Sequence, residues 1–408
     1  MRLLFIGYVI PNEFCNMYKG CSIAGNKMQL GILKGLKKYF GNNIDIITIP
    51  AMAPFPQFKK IFVIPAKVPL IENMEAQFVP FINIPFFKQI TQIIFSIFYV
   101  CLWAIKNGNE KEKVIFCFNS YPNVAIAAIV LKKFFGCKII CLFADPPIDV
   151  ISRKGIAKLA WNLFEKTAER SIKQFDGIVV LNRLAALDYA PEIPYIVVDG
   201  GFDPDDYAVD VVNDEVLHKR KDKIIMFSGM LIEYNGIMTL IEAFKLINDS
   251  SCKLWIFGDG PLRDYVINES KKDSRIMYKG MVSNKEIIMY QRLADILVNP
   301  RLTGNNVSKY TFPSKLIEYM LSGTPVITTK ISGITEDYYP YLFFFDKETP
   351  EEFAKKITEV LNIDLYKRRK KGLATKEFII RNKSWDFQCK RIVEFILGII
   401  LYKRGGYK

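Results

Sequence analysis

Four short apolar runs in the second half of the chain end on glycine or proline. IIMFS precedes Gly229, KLWIF precedes Gly258-Asp259-Gly260-Pro261, RIMYK precedes Gly280, and DILVN precedes Pro300-Arg301. If these runs are parallel strands, ligands collect beyond their carboxyl ends. Glycines there let backbone amides come close, and helix N-termini favour an anion such as a diphosphate. Any one such glycine is ordinary turn chemistry; four marked ends in one stretch say more. Downstream, Tyr310-Thr-Phe-Pro-Ser-Lys-Leu-Ile-Glu318 sets Ser314 and Lys315 near a helix start after Pro313. Glu318 follows one turn later, between Ile317 and Tyr319. A carboxylate among apolar neighbours needs a polar partner, which a ribose diol would supply; an exposed helical glutamate is the other reading. In the first half, Asp145 follows KIICLF and precedes Pro146-Pro147. It is either an acid–base group for a hydroxyl or a capping or turn aspartate.

The elements that must position these residues alternate along the whole chain. LLFIGYV, IDIITI, VIFCF, KIICLF, GIVVL and YIVVD read as strands in the first half, separated by helical patterns such as MQLGILKGLKKYF and NVAIAAIVLKKFFG. The second half repeats this, from IIMFSG to YLFFF. Strands apolar on both faces with helices between them predict a parallel sheet covered on both sides. Right-handed crossovers then give a doubly wound, Rossmann-like unit. The predicted class is α/β: two Rossmann-like domains facing across a cleft, residues 1–203 and 204–384, with 385–408 packing back on the first. The charge-dense Asp203 to Lys223 segment is the linker candidate. Residues 50–87, with seven prolines, predict an irregular excursion beside the first sheet.

Composition narrows the partners. With 408 residues, one core is too small a prior. The balance of 56 Lys+Arg against 42 Asp+Glu, +14 net, favours polyanions: nucleotides, phospholipid head groups, lipid-linked diphosphates or nucleic acid. No helix-turn-helix, zinc or RNA-binding motif accompanies that charge, so nucleic acid is set aside. Eight scattered cysteines without a CxxC pair read as free thiols in a reducing cytosol. His218, the single histidine, sits in a charged stretch, which removes a His-based zinc site. The opening MRLLFIGYVI reads as a strand, not as a signal peptide. Residues 90–105, flanked by Lys88 and Lys106, read as a buried or interfacial helix shorter than a bilayer span.

The stretch FPSKLIEYMLSGTPVITT, with Gly333 and Glu336 after it, closely resembles the donor-binding segment of family 4 glycosyltransferases. SGMLIEYNGIMTLIEAF, LWIFGDGP, YKGMVSNKEIIMYQRLADILVNP and GGFDP extend the resemblance across the second half in the family's order. The first half matches more loosely, through AGNKMQLGILKGL, CLFADPP and ERSIKQFDGIVVLN. The resemblance implies the GT-B fold and a retaining transfer from a nucleotide-diphospho-sugar, with no cofactor and no required metal. It implies donor contacts from Gly229, Gly258, Asp259, Gly260, Gly280, Met281, Tyr310, Ser314 and Glu318. The loop before Gly25 and Asn26 would approach the donor from the first domain, and Asp145 would serve the acceptor. The implied acceptor is a glycan or a polyprenyl-diphosphate-linked sugar, in cell-surface polysaccharide assembly.

Two departures carry chemical weight. The family's first paired glutamate is Tyr310 here, and its Arg and Lys after the second domain's first strand are replaced by Met230 and Asn235. A leaving diphosphate still needs positive charge, and Arg301 and Lys315 are the candidates. A noncatalytic partner subunit and a nucleotide-sugar epimerase are the alternative readings. Scattered lysines and the aromatic residues 80–104 suggest a cytoplasmic protein, peripheral on the inner face of the membrane.

Overall fold

The computed structural model describes residues 1–71, 73–148, 153–204 and 221–402. His218, most of the charged segment 203–223 and the basic tail after 402 lie outside the described residues. The chain divides into two units, Met1–Gly201 with Trp385–Lys408, and Phe202–Ser384.

The first unit is built on β1 (Arg2–Gly7), β2 (Ile44–Thr48), β3 (Phe62–Val63), β4 (Ala66–Ile71), β5 (Met74–Phe78), β6 (Phe81–Ile82), β7 (Lys113–Phe118), β8 (Lys138–Phe143), β9 (Gly177–Val180) and β10 (Tyr195–Val197). Eight of these form one sheet in the order β10-β9-β8-β7-β1-β2-β5-β4, while β3 and β6 pair separately. The central strands are buried along nearly their whole length, as two-sided apolar runs require. The helices are α1 (Asn12–Met17), α2 (Ile23–Phe40), α3 (Phe87–Lys106), α4 (Pro122–Phe135), α5 (Gly155–Ile172) and α6 (Arg183–Tyr189).

The proline-rich stretch corrects the sequence expectation. Residues 66–71 and 74–78 are not an excursion beside the sheet; they extend it. β5 runs parallel to β2, and β4 closes the edge antiparallel to β5. Pro69 is tolerated because it sits on that edge strand, where the register shifts between Pro69 and Ile71. The cysteine reading is also corrected. Cys15 and Cys21 form a disulfide in the segment before α2, while the other six are free. A spacing of six residues carries no recognisable pairing signature.

The second unit holds β11 (Lys223–Ser228), β12 (Cys252–Phe257), β13 (Ile276–Gly280), β14 (Ile296–Asn299), β15 (Val326–Thr328) and β16 (Phe343–Phe344). They form an all-parallel sheet in the order β13-β12-β11-β14-β15-β16. Its helices are α7 (Ile237–Lys245), α8 (Arg263–Lys272), α9 (Asn284–Leu293), α10 (Asn306–Tyr310), α11 (Ser314–Ser322), α12 (Pro350–Asn362) and α13 (Leu365–Asn382). The last helix, α14 (Trp385–Tyr402), packs on α2 of the first unit. A Cβ at Gly31 would lie 2.1 Å from Trp385 Nε1, and one at Gly35 would lie 2.5 Å from Cys389 Sγ. Glycine on α2 is what lets the two helices approach.

Helix α3 is longer than expected and is not the buried helix that was one of its two readings. Its 20 residues are long and apolar enough to cross a membrane, and little of it is buried. The side facing the protein carries Gln92, Ser96, Val100, Trp103 and Ala104. The side facing away carries Phe87, Ile90, Ile94, Phe98, Leu102 and Ile105, of which Leu102 at 46% is the least exposed. Full burial of such a side chain is worth roughly 1.5–3 kcal/mol, and each, about half exposed, forgoes a part of that.

Candidate functional site

Parallel strands present all their carboxyl ends at one sheet edge, and a crevice opens where successive strands leave in opposite directions. In the second unit β12 and β13 lie on one side of β11 and β14 on the other, so the switch falls between β11 and β14. Gly280 ends β13, and Gly258, Gly229 and Arg301 follow β12, β11 and β14, its neighbours in order along that edge.

Backbone geometry dominates there. Gly258 has φ +126°, and a Cβ on it would sit 1.9 Å from the Gly229 carbonyl oxygen. Its N–H donates to Gly280 O at 2.9 Å, and its carbonyl accepts from Tyr278 Oη at 3.0 Å. Gly260, at φ +154°, would press a Cβ to 2.6 Å from Leu231 O. Asp259 accepts from the Gly260 N–H at 2.8 Å, which closes the turn. At Gly229 a Cβ would meet only the Phe227 ring at 3.5 Å, so this glycine is not sterically required. Met281, 74% exposed, follows Gly280 on the open surface.

Arg301 is buried, with Nε donating to Ser308 Oγ at 3.0 Å and Nη2 to Thr311 Oγ1 at 2.7 Å. Its guanidinium lies 5.5 Å from the Tyr234 ring centroid. Burial pulls its pKa below the usual value, because its hydrogen-bond partners are neutral hydroxyls. Among the described residues the guanidinium is thus held by two neutral hydroxyls and an aromatic ring. Lys315 is engaged differently: it pairs with Glu318 at 2.6 Å, one turn along α11. The two residues expected to serve diphosphate and ribose separately therefore hold each other. Ser314 opens α11 with Pro313 as its cap, one place earlier than the expected first helical turn. The Tyr310 hydroxyl accepts from Lys309 Nζ at 2.9 Å.

Two supporting residues escaped the sequence reading. The Tyr319 hydroxyl, fully buried, accepts from Ser228 N at 2.6 Å and donates to Ser228 O at 3.0 Å, tying α11 to the end of β11. Gly236 lets the start of α7 touch Pro300, where a Cβ would fall 1.9 Å from its carbonyl oxygen. An apolar-looking Tyr and a glycine after a turn gave no distinguishing signal.

The first unit places its switch between β1 and β7. A cavity of about 990 Å³ opens there, lined by Tyr8, Asn26, Asn119, Tyr121, Asp145 and Trp161 among others. Gly25 and Asn26 lie in the first turn of α2, directly after the loop that ends at the N-cap Ser22. Asn26 is buried, accepts from Ile10 N at 2.9 Å and donates to Ile10 O at 3.0 Å. Its amide fixes the backbone after β1, which makes it a positioning group. Asp145 faces the cavity, open to water there but surrounded by protein. That burial raises its pKa, partly offset by the Asn119 amide donating to its carboxylate at 3.3 Å.

Asn119 is the residue the sequence reading missed. It takes φ +63°, uncommon for a non-glycine, and its Oδ1 accepts from both Ala144 N and Asp145 N at 2.9 Å. The stretch FNSYPN directly after a strand was the available signal. Beyond it, the Tyr8 hydroxyl donates to Asn123 Oδ1 at 2.6 Å and Asn123 donates to Gln92 Oε1 at 3.0 Å. Trp161 stacks on Phe164 at 5.1 Å, and Arg153 covers the Trp161 ring at 4.0 Å. Aromatic faces beside fixed amides suit a polar ligand with apolar C–H faces.

Two Rossmann-like units with candidate chemistry at their switch points define the GT-B fold. Residues 222–362 match the family model for glycosyl transferases group 1. Over 158 residues the chain is 27% identical to an uncharacterized glycosyltransferase of Methanocaldococcus jannaschii, covering 36% of this chain and 39% of that one. It is 23% identical over 190 residues to TuaH of Bacillus subtilis, a glycosyltransferase provisionally named for teichuronic acid biosynthesis, covering 44% of each. The matched stretches thus span well under half the length of these curated relatives. Among solved structures, sucrose-phosphate synthase of Thermosynechococcus elongatus superposes with a TM-score of 0.70 at 15% identity, over 98% of this chain and 100% of that one. HepE of Anabaena, solved in complex with UDP, gives 0.64 at 14% identity over the same shares.

Proposed function

We propose that this protein is a retaining glycosyltransferase that moves a sugar from a nucleotide-diphospho-sugar to an acceptor hydroxyl. The donor belongs on the second unit and the acceptor in the cavity of the first. Arg301 carries the reading: a buried guanidinium with neutral partners, at the switch-point edge inside the stretch that matches the family model. A departing diphosphate would supply its missing counter-charge. The glycine-built ends at Gly258 and Gly260 leave room for a nucleotide against backbone, and the complex of HepE with UDP supports that class of donor. Met281 and Gly280 would border the base, and Glu318 the ribose once Lys315 turns toward phosphate.

In the acceptor cavity, Asp145 would orient or deprotonate the acceptor hydroxyl, held by Asn119. Transfer needs that oxygen within bonding reach of the anomeric carbon with water excluded. Retention would follow same-face attack assisted by the leaving phosphate, with no cofactor or metal required. The provisional teichuronic acid name of TuaH supports a role in cell-surface polysaccharide assembly at the cytoplasmic side of the membrane.

A thermal-shift panel of UDP-, GDP-, ADP- and CMP-sugars on wild type and Glu318→Ala tests the donor assignment. A donor at a hundred times its dissociation constant stabilises by roughly 2.7 kcal/mol. A shift with one nucleotide, weakened in the variant, supports the reading. One observation favours a noncatalytic partner subunit instead: Asn235 donates to Met230 O at 2.9 Å, closing on itself the turn where the resemblance would call for basic residues. No shift with any donor would favour that reading.

A further inference from the structure

Cys15 and Cys21 are joined across a sequence separation of six, so the bond closes a short loop and constrains the chain locally. The two sulfurs have different surroundings. Cys15 is buried on α1 against Ile10 and Phe78, whereas Cys21 is half-buried and lines the cavity of the first unit. The bond therefore fastens part of the cavity wall to a fixed helix. Gly20 and Ser22 line the same wall, and Ser22 caps α2 by accepting from Gly25 N at 3.1 Å. Gly20, at φ +94°, lies so close to the segment after β2 that a Cβ on it would fall 2.9 Å from Ala53 N. The Ala53 N–H donates to the Lys19 carbonyl oxygen, and Met52 and Pro54 on either side of it also line the cavity. Tyr18 adds ring contacts with Phe14 at 5.6 Å and Phe58 at 5.4 Å. Among the described residues the free cysteines offer no second site of this kind: five are buried, and Cys101 is the only one on α3.

Resting on the acceptor cavity and the cytoplasmic placement proposed above, we infer that Cys15–Cys21 is a thiol–disulfide exchange site that sets the state of this cavity, with a dithiol reductant as its partner. A disulfide kept in a reducing compartment is usually transient, catalytic or redox-sensing. A thiolate of the reductant attacks Cys21 Sγ, the more accessible sulfur. The Cys15–Cys21 bond breaks, and Cys15 leaves as a thiolate that takes up a proton. The second thiolate of the reductant then attacks the reductant's own sulfur in the mixed disulfide, and Cys21 leaves and is protonated in turn. Two electrons and two protons have passed to the protein, and the reductant ends as a disulfide. In the oxidised form the wall at 20–22 is tied to α1. In the reduced form it is held by the Ala53 hydrogen bond and the Tyr18 ring contacts, and it loosens together with residues 50–54.

The test uses the full chain, purified without reductant and then left oxidised or treated with dithiothreitol. Cys15 and Cys21 should become open to alkylation in the folded protein, at dithiothreitol concentrations that leave the five buried cysteines unlabelled. Trypsin should cleave after the exposed Lys19 roughly tenfold faster or more in the reduced protein. Amide hydrogen exchange should quicken together over residues 18–26 and 50–54, while β11 to β14 of the second unit exchange as before. Cys15→Ser/Cys21→Ser should show the reduced pattern without reductant and respond no further to dithiothreitol. Reoxidation of the wild type should restore slow cleavage, a measurement that needs no variant to fold. A bond reduced only on global unfolding, or exchange that quickens at 15–22 with 50–54 unchanged, would make the disulfide a structural staple and overturn the proposal. So would a dithiothreitol response that persists in the double variant. None of these readouts uses a sugar donor, so failure here leaves the donor assignment standing.

Discussion

At the switch-point edge of the second unit the wall is mostly backbone. Gly258 and Gly260 are held at positive φ against the Gly229 and Leu231 carbonyls, and the main side-chain charge is one buried arginine. At the same place in the first unit the wall is side chain: Asn119, Asp145, Tyr8, Asn123 and Trp161. The difference fits what each would bind. A diphosphate presents the same oxygens in every donor, and fixed amides with one cation recognise it whatever the sugar. An acceptor differs from enzyme to enzyme, and only side chains can be exchanged without rebuilding the sheet. Backbone recognition is also rigid, because a glycine in tight van der Waals contact has no rotamer to relax.

The contrast can be broken most directly at Asp145. Asp145→Asn should lower transfer by about 10²–10⁴-fold while leaving the donor-induced thermal shift intact. Loss of both would mean the first unit's carboxylate is not an acceptor-side group. Arg301→Ala should act on the donor side, lowering the single-turnover rate constant for transfer by roughly 10²–10³-fold at saturating donor and acceptor. Unchanged turnover would remove the residue on which the donor reading rests.

Glycine substitutions sharpen the backbone half of the comparison. Gly258→Ala should abolish the nucleotide shift, because its Cβ would lie 1.9 Å from a carbonyl oxygen, whereas Gly229→Ala, with its nearest neighbour at 3.5 Å, should retain it. If both variants bind alike, the close approach has no part in recognition. Tyr319→Phe should lower unfolding stability by about 1–3 kcal/mol, since the Ser228 N–H then has no partner in a buried site. Denaturant titration reads that directly.

The smallest expected effect concerns pH. Asp145 has a raised pKa in the folded protein, so its ionised form is disfavoured by folding. Replacing it with asparagine should therefore raise Tm modestly at pH 7. The gain should shrink as pH falls through the raised pKa toward the unfolded carboxylate range, where both side chains are neutral. A gain that grew toward acid pH would contradict the burial of this carboxylate.

The sequence by itself determined the periodicity and therefore the two sheets. Runs such as VIFCF and KIICLF are apolar on both faces, and only a doubly covered parallel sheet buries both. Strand-end glycines were legible for the same local reason: a run that stops at glycine marks a place where the chain turns or something comes close. Tertiary structure decided the rest. Pro69 joined the sheet because an edge strand has N–H groups to spare, which no local pattern reveals. Lys315 met Glu318 through helical spacing, yet whether either was free for a ligand depended on what else surrounded them. The orientation of α3 was invisible beforehand, because its apolar and polar stripes specify two faces without saying which one meets the protein. Packing on α4 settled it. Asn119 likewise gained its role only when folding brought the end of β7 beside Asp145, 26 residues away in sequence.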